Sequence, residues 1–262
     1  MTPDVAVIIV NFNTRAELES CLGSLAGAPP ACVARIIIVD NASTDGSIEL
    51  VRSRWPRVEV LAQERNLGFG AANNVALRKC PEPYALLLNS DTTVPAGAID
   101  RLRDRLLAMT AAAAGPRIVD RDGKPELSHG RMLTPWTEFV QRRRQRNPGP
   151  HTAEEQLVDW VTGACMLLDV AAVRAAGYFD ERFFMYEEDV DLCASLRAAG
   201  GRILFTPAAE IVHVRGRSPR APVAAGTGAH YDRSHLAFYE KHAAGWAPVL
   251  RLWMRLRGRR VR

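Results

Sequence analysis

Residues 5–10 form an unbroken apolar run between Asp4 and Asn11. Without polar alternation, such a run predicts a strand covered on both faces. Thr14 with Glu17 reads as a capping box, after which Leu18, Cys21, Leu22 and Leu25 recur at helical spacing. Residues 36–39 predict a second buried strand that ends on Asp40. A turn at 41–46 and a short helix follow, then a third strand at 58–61. Residues 70–78 predict a helix, 84–88 a fourth strand, and 95–109 an amphipathic helix opened by Pro95.

Strands alternating with helices imply a parallel sheet with right-handed crossovers. Ligands of such sheets bind beyond the carboxyl ends of the strands. Three strand ends turn polar here: Asn11 with Asn13, Asp40 with Asn41, and Asn89 to Asp91. Ordinary turn chemistry would use the same residue types, so the pattern alone leaves both readings open. The second half is less regular. Asp122-Gly123 predicts a hairpin-type turn, and 128–156 has no clear period and reads as a loop or short helix. Residues 160–169 predict a strand, 187–199 a helix stopped by Gly200-Gly201, and 202–205 and 210–214 two further strands. A nucleotide half (about 1–115) and an acceptor half (about 116–241) are expected, followed by a tail at 242–262.

The 262 residues are 47% hydrophobic and 24% charged, enough to bury a core without staples. The formal charge of +5 is unevenly spread. Arg142, Arg143, Arg144 and Arg146 form one cluster; Arg251, Arg255, Arg257, Arg259, Arg260 and Arg262 form another. Such clusters suit anionic partners. The five cysteines lack paired spacing, which fits a reducing compartment and argues against a zinc cluster. The start lacks a signal-peptide pattern and no apolar run reaches membrane-spanning length. A cytoplasmic site of action is expected, at the inner face of the cell membrane if the tail binds there.

Asp40, at the end of a buried strand, could accept the N3–H of uracil or thymine, or could cap a helix. Asp91 follows Leu86-Leu87-Leu88 and could hold Mg²⁺ or Mn²⁺, with a diphosphate and waters completing the ligands. Glu187, Glu188, Asp189 and Asp191 follow the bulky run Phe183-Phe184-Met185-Tyr186. Crowded carboxylates repel, so one of them is expected to have a raised pKa and to serve as a base. A charged first helical turn is the plainer alternative. His213, in an alternating strand pattern, reads by itself as structural. No phosphate loop, dinucleotide fingerprint or nucleophile elbow is present.

Six stretches, in order, resemble the inverting family 2 glycosyltransferases, above all their bacterial rhamnosyltransferase-like branch. They are VIIVNFN at 7–13, VDNASTDGS at 39–47, RNLGFGAANN at 65–74, LLLNSDT at 86–92, WVTGACMLL at 160–168 and GYFDERFFMYEEDVDLC at 177–193. The resemblance covers roughly residues 4–214. It implies the type A glycosyltransferase fold, a Rossmann-like α/β sandwich with a mixed sheet, here with a C-terminal helical appendage. It implies that Asn11 and Asp40 contact the base and ribose, with Asn41 and Asp45 supporting that loop. Arg65, Asn66, Gly68 and Asn73 would shape the wall beside the nucleotide and donor sugar. Asn89, Ser90 and Asp91 stand where the family has its Asp-x-Asp motif, with Asp91 as metal ligand and Asn89 a departure. His213 would complete the metal site. Asp189 would be the catalytic base, supported by Glu188, and Trp160 and Gly163 would line the acceptor pocket.

The implied reaction is transfer from a pyrimidine-nucleotide sugar, dTDP-rhamnose first and a UDP-sugar next. The acceptor would be a hydroxyl of a cell-envelope glycan, polysaccharide or lipid-linked saccharide. A nucleotidyltransferase and a non-catalytic sugar-nucleotide or glycan-binding protein are the rivals. In the tail, Trp246, Val249, Leu250, Trp253 and Leu256 recur at helical spacing among arginines. That is a membrane-surface pattern, or else a helix packed on the domain. No nucleic-acid module is visible.

Overall fold

The computed structural model describes residues 3–214, 227–257 and 259; Arg260 and Arg262 of the basic tail lie outside them. The first half follows the apolar pattern closely. Strands β1 (Val5–Asn11), β2 (Val33–Asp40), β3 (Glu59–Ala62) and β4 (Tyr84–Asn89) alternate with helices α1 (Arg15–Gly27), α2 (Ser47–Arg54) and α3 (Phe69–Leu77). β1 pairs in parallel with both β2 and β4, and β2 with β3. The chain therefore steps outward from β1 on one side, then returns to its other side. That reversal makes the carboxyl ends of β1, β2 and β4 a crevice. Register places Asn11 opposite Asp40 and Val10 opposite Asn89, so the three polar strand ends share one edge.

The run at 5–10 is continuous because both faces are covered. Val5, Val7 and Ile9 join a core with Leu18, Leu22 and residues of α4 (Ala98–Met109). Ala6 and Ile8 join a second core with Ala72, Ala76 and Leu77 of α3. α4 follows the short β5 (Thr92–Thr93) and starts after Gly97, which adopts φ +70°. Pro95 thus lies in the preceding turn, its carbonyl accepting from Ala98 N, and does not open the helix.

Next come β6 (Ala113–Val119), β7 (Pro125–Glu126), β8 (His129–Gly130) and α5 (Pro135–Arg144). The expected hairpin turn joins β6 to β7, with Gly123 at φ +76°. Residues 128–156 hold more structure than their pattern predicts. α5 buries none of its residues, so it carries no apolar period, but a capping box between Thr134 and Thr137 starts it. A 3-10 turn spans Gly149–Thr152, and β9 (Gln156–Val158) follows. The single strand expected at 160–169 is two: β10 (Trp160–Val161), paired with β8, and β11 (Cys165–Asp169), antiparallel to β4 and β6. The chain leaves the ladder at Thr162-Gly163-Ala164. After α6 (Val170–Ala175) and α7 (Glu188–Ala198), the two strands expected at 202–214 are one, β12 (Ile203–His213). Its pairing with β6 shifts between Thr206 and Glu210, where Pro207 offers no N–H to the ladder.

The main sheet runs β3-β2-β1-β4-β11-β6-β12-β5, with β7 on β6 and β9 on β12. It is mixed, with helices over both faces. At the C-terminus, α8 (Thr227–His242) and α9 (Ala247–Leu256) form a third cluster. Phe238, Tyr239, Ala247 and Met254 pack there with Phe183 and Val190, beside the acidic segment. Among the described residues no helix is long and apolar enough to cross a membrane, and all five cysteines are free and buried.

Leu167 lies in β11 between Leu86 and Ala114 and is fully buried. Leu167→Ala should cost roughly 2–5 kcal/mol. The urea midpoint should fall with the slope unchanged.

Candidate active site

Asn11 and Asp40 are both 0% exposed. Asn11 Nδ2 donates to Asp40 Oδ1 at 2.8 Å and to Ser43 Oγ at 3.0 Å, while Ser43 N donates to Asp40 Oδ2 at 2.9 Å. Here, then, the two side chains form the floor of the crevice and fix the turn after β2, with no surface of their own turned to a ligand. Thr14 does not close the expected capping box. Its hydroxyl donates to Asn11 Oδ1 at 2.7 Å and shares a 2.8 Å hydrogen bond with Ser90 Oγ. Asp45 supplies the missing cap from the neighbouring loop, accepting Arg15 N at 2.9 Å. Burial would raise the Asp45 carboxyl, but hydrogen bonds from Ser47 and Arg15 outweigh it and hold the group low.

Asn41 joins this loop to the next motif. Its Nδ2 donates to Gly68 O at 3.1 Å, and its Oδ1 accepts from Leu67 N at 3.4 Å. Asn66 Oδ1 accepts Gly68 N at 2.9 Å. Gly68 has φ +85°, and a Cβ there would lie 2.2 Å from Phe184 O. Only glycine allows that approach, which lets Phe69 N donate to Phe184 O at 3.1 Å. Asn73 is buried within α3, its Nδ2 donating back to Phe69 O, so it braces the helix start. The neighbouring Asn74 does the bridging, through Phe179 and Glu181. Arg65 is exposed on the rim.

Asn89 N donates to Ala164 O at 2.9 Å, and the Asn89 carbonyl accepts from Thr92 Oγ1 at 2.7 Å. The turn that follows carries Ser90 and Asp91. β5 then pairs with the end of β12, setting Thr92 opposite His213. His213 Nε2 lies 3.1 Å from Asp91 Oδ1, and its Nδ1 lies 3.8 Å from Glu126 Oε2. Burial opposes protonation of His213, but the two carboxylates outweigh it and lift its pKa to about 9. The spot therefore favours positive charge. A carboxylate oxygen and an imidazole nitrogen lie side by side and partly exposed here; the carboxylate suits Mg²⁺ or Mn²⁺, and the imidazole could join it only after giving up its proton. Among the described residues no group of three or more such side chains is placed to hold an ion. A cation here would need further oxygens from a bound diphosphate and water.

The acidic segment is sorted by α8. His235 Nδ1 lies 2.6 Å from Glu187 Oε1; Lys241 Nζ and His242 Nε2 lie 2.9 and 2.6 Å from Asp191 Oδ1. Among the described residues Glu188 and Asp189 have no ion-pair partner, and Glu188 Oε2 is buried without a hydrogen bond. Desolvation, then the charge of Asp189, raises the Glu188 pKa to about 8. Burial also raises Asp189, against hydrogen bonds from Gly163 N and Val190 N, each 2.8 Å long. Gly163 again leaves no room: a Cβ would meet Phe69 Cε1 at 2.9 Å and Asp189 Cβ at 3.4 Å. Asp189 is thus tied to the start of β11, one residue from the Ala164 that holds Asn89. Trp160 is half-buried nearby, its indole N–H donating to Arg131 O at 2.9 Å.

Several side chains of this arrangement escape a reading of motifs. Ser43 looks like a turn residue and Thr14 like a helix cap, and Glu126 sits in a short hairpin. His235, Lys241 and His242 lie far along the chain from the acids they meet. Asn74 and Ser43 lie within stretches that resemble the family, at 65–74 and 39–47, without a role of their own being legible there.

The profile of Glycosyl transferase family 2 matches residues 6–167. The N-acetylglucosaminyl-diphospho-decaprenol L-rhamnosyltransferase of Mycobacterium tuberculosis is 31% identical over 284 residues, covering 97% of this chain and 90% of its own. Among solved structures, mannosyltransferase PcManGT from Pyrobaculum calidifontis, in complex with GDP-Man and Mn²⁺, superposes with TM-score 0.65 at 18% identity, over 96% of this chain and 69% of that one. GalNAc-T7 with UDP, GalNAc and Mn²⁺ gives TM-score 0.64 at 18% identity over 88% of this chain, which spans about half (48%) of its length. At those identities the likeness speaks for the fold, the type A glycosyltransferase sandwich. The family profile and the near full-length relative extend it to the sequence: this chain belongs to the family 2 glycosyltransferases, in their rhamnosyltransferase-like branch.

Proposed function

We propose that this glycosyltransferase moves rhamnose from dTDP-rhamnose, or failing that a sugar from a UDP donor, onto a hydroxyl of a lipid-linked or envelope-glycan acceptor. A single displacement would invert the sugar carbon. The M. tuberculosis relative supports the sugar and the lipid-linked acceptor by its name. One observation carries the mechanism. Of the four clustered acids, Glu187 and Asp191 are paired by α8, while Glu188 and Asp189 are left together without a base of opposite charge among the described residues. A carboxylate kept basic by burial and a like-charged neighbour is suited to take a proton.

In this reading Asp189 removes the acceptor hydroxyl proton as that oxygen attacks the anomeric carbon. The Gly163 and Val190 N–H groups aim its oxygens, and Glu188 keeps its basicity high. The turn of Asn89, Ser90 and Asp91 and the Asn41–Gly68 wall hold the nucleotide and sugar, with Asn11 and Asp40 as their floor. Holding two reactants in line is the larger part of the work. A divalent cation held by Asp91 and His213 would neutralise charge on the departing nucleoside diphosphate. Trp160 and Gly163 would face the acceptor. A nucleotidyltransferase would need a second acidic metal ligand near Asp91, and Asn89 in the same turn argues against it.

Replacing Asp189→Asn should lower turnover by about 10²–10⁴-fold and leave donor binding intact. Normal turnover in that variant would remove Asp189 from the mechanism. Since the base must be ionised and burial raises its pKa, kcat/KM should climb with pH along an acid limb lying above the usual carboxylate range. Glu188→Gln removes the carboxyl with which Asp189 shares its titration. The acid limb should then shift; an unmoved limb would show that the two groups are not coupled in catalysis. Thermal-shift titrations test the donor and metal together. With Mn²⁺ present, dTDP or UDP should raise Tm where GDP and ADP do not, by an increment equal to about 2.7 kcal/mol at 100-fold over Kd. Asp91→Ala and His213→Ala should each abolish the Mn²⁺-dependent part. A metal-independent shift would move the cation out of this site.

A further inference from the structure

Among the described residues, most of the large apolar side chains left in solvent lie on or beside two helices, α5 and α9. Trp136 and Phe139 belong to α5; Val249, Leu252 and Leu256 belong to α9 and are 57%, 59% and 79% exposed. Neither helix shares the main core. α5 buries none of its own residues. α9 buries Ala247 and Met254 on its inner side, with Leu250 partly buried beside them, against the cluster that holds Phe183 and Val190, and turns Val249, Leu252 and Leu256 outward.

The two helices flank one groove of about 370 Å³, lined on one side by Phe139 and Arg142 and on the other by Trp246, Val249, Leu250 and Trp253. Their charge is predominantly of one sign, although Arg142 pairs with Glu138 and Arg251 with Glu240 of α8. α5 carries Arg142, Arg143 and Arg144, and α9 carries Arg251 and Arg255, with no acid in α9 and one, Glu138, in α5. Glu138 is turned inward, accepting the Tyr239 hydroxyl at 2.5 Å. Arg143 lies 5.4 Å over the Phe139 ring, and Arg257 4.5 Å over that of Trp253. The cations therefore sit at the border of the apolar stripe.

We propose that α5 and α9 together form a docking face for an anionic lipid bilayer. Large apolar side chains among arginines, with tryptophan between them, suit the boundary of acyl chains and phosphate headgroups. Charge complementarity selects this occupant. A second copy would bring two arginine-rich faces together and be repelled, whereas phosphates neutralise them. The face is wider than the C-terminal tail, because α5 contributes half of it. Through α8 it also adjoins the acidic segment: His235, at the inner wall of the groove, reaches Glu187. A bilayer docked here would lie beside the residues that handle the acceptor. The docking itself needs no assumption about donor, acceptor or metal.

Co-sedimentation of the full chain with phosphatidylcholine vesicles, with and without phosphatidylglycerol, tests this face. Binding should require the anionic lipid and weaken as salt rises. Leu252→Glu with Leu256→Glu should abolish binding, and because both side chains are mostly exposed Tm should not change. Arg143→Gln with Arg255→Gln should weaken partition about thirtyfold. The proposal fails if the wild-type chain ignores anionic vesicles, if it binds neutral ones equally, or if both double variants bind as wild type. It also fails if sedimentation velocity shows a dimer that Leu252→Glu with Leu256→Glu dissociates, since the face would then belong to a second copy.

Discussion

The hydrogen bond from Gly163 N to Asp189 Oδ2, 2.8 Å long, joins the parts of this molecule that would otherwise be separate. Gly163 stands where the chain leaves β10 and enters β11, the antiparallel strand that joins the two halves of the sheet. Asp189 stands in the first turn of α7. Phe69, at the start of α3, fills the remaining space against Gly163. Three sequence segments meet at one point, and the lack of a side chain at 163 is the condition for it. Gly68 repeats the device one step away, letting the carbonyl of Phe184 close on the loop before α3.

Such closeness is costly. Glu187 and Glu188 are buried carboxyls with an oxygen each lacking a hydrogen bond, and Tyr186 and Glu187 hold left-handed backbone at φ +71° and +64°. Conformations of that kind persist only where the surroundings over-determine them. α8 provides that support, through Ser234 on the Met185 carbonyl, His235 on Glu187, and Lys241 with His242 on Asp191. The C-terminal helices are thus part of the reason the acidic loop keeps its shape. They leave Glu188 and Asp189 as the unneutralised pair among the described residues, and burial then makes these two the more basic.

The departures from the pattern have local causes. The expected strand at 160–169 broke in two because Gly163 turns its N–H to Asp189 instead of a neighbouring strand. Pro207 interrupts a strand that is otherwise continuous from Ile203 to His213. α5 was legible only as a loop or short helix somewhere in 128–156, because a helix that buries nothing has no apolar period. Thr14 was expected to cap α1, but a hydroxyl within reach of Asn11 and Ser90 serves the crevice instead, and Asp45 takes over the cap.

By itself, then, the sequence determined the alternation of strands and helices through residue 109, the coverage of both sheet faces, and the polar strand ends. These follow from side-chain period and turn chemistry, which act between near neighbours. Its motifs also carried the family. What only the tertiary structure decided are the pairings across long separations. The family resemblance implied that His213 joins Asp91, but the cause is tertiary: β5 and β12 are neighbours at the sheet edge, which brings together two residues 122 apart in the chain. Which of four adjacent acids stays ionisable depends on bases contributed by α8, some 50 residues downstream. A carboxylate's basicity is set by the dielectric and charges around it, and those are properties of the packed chain that no local pattern records.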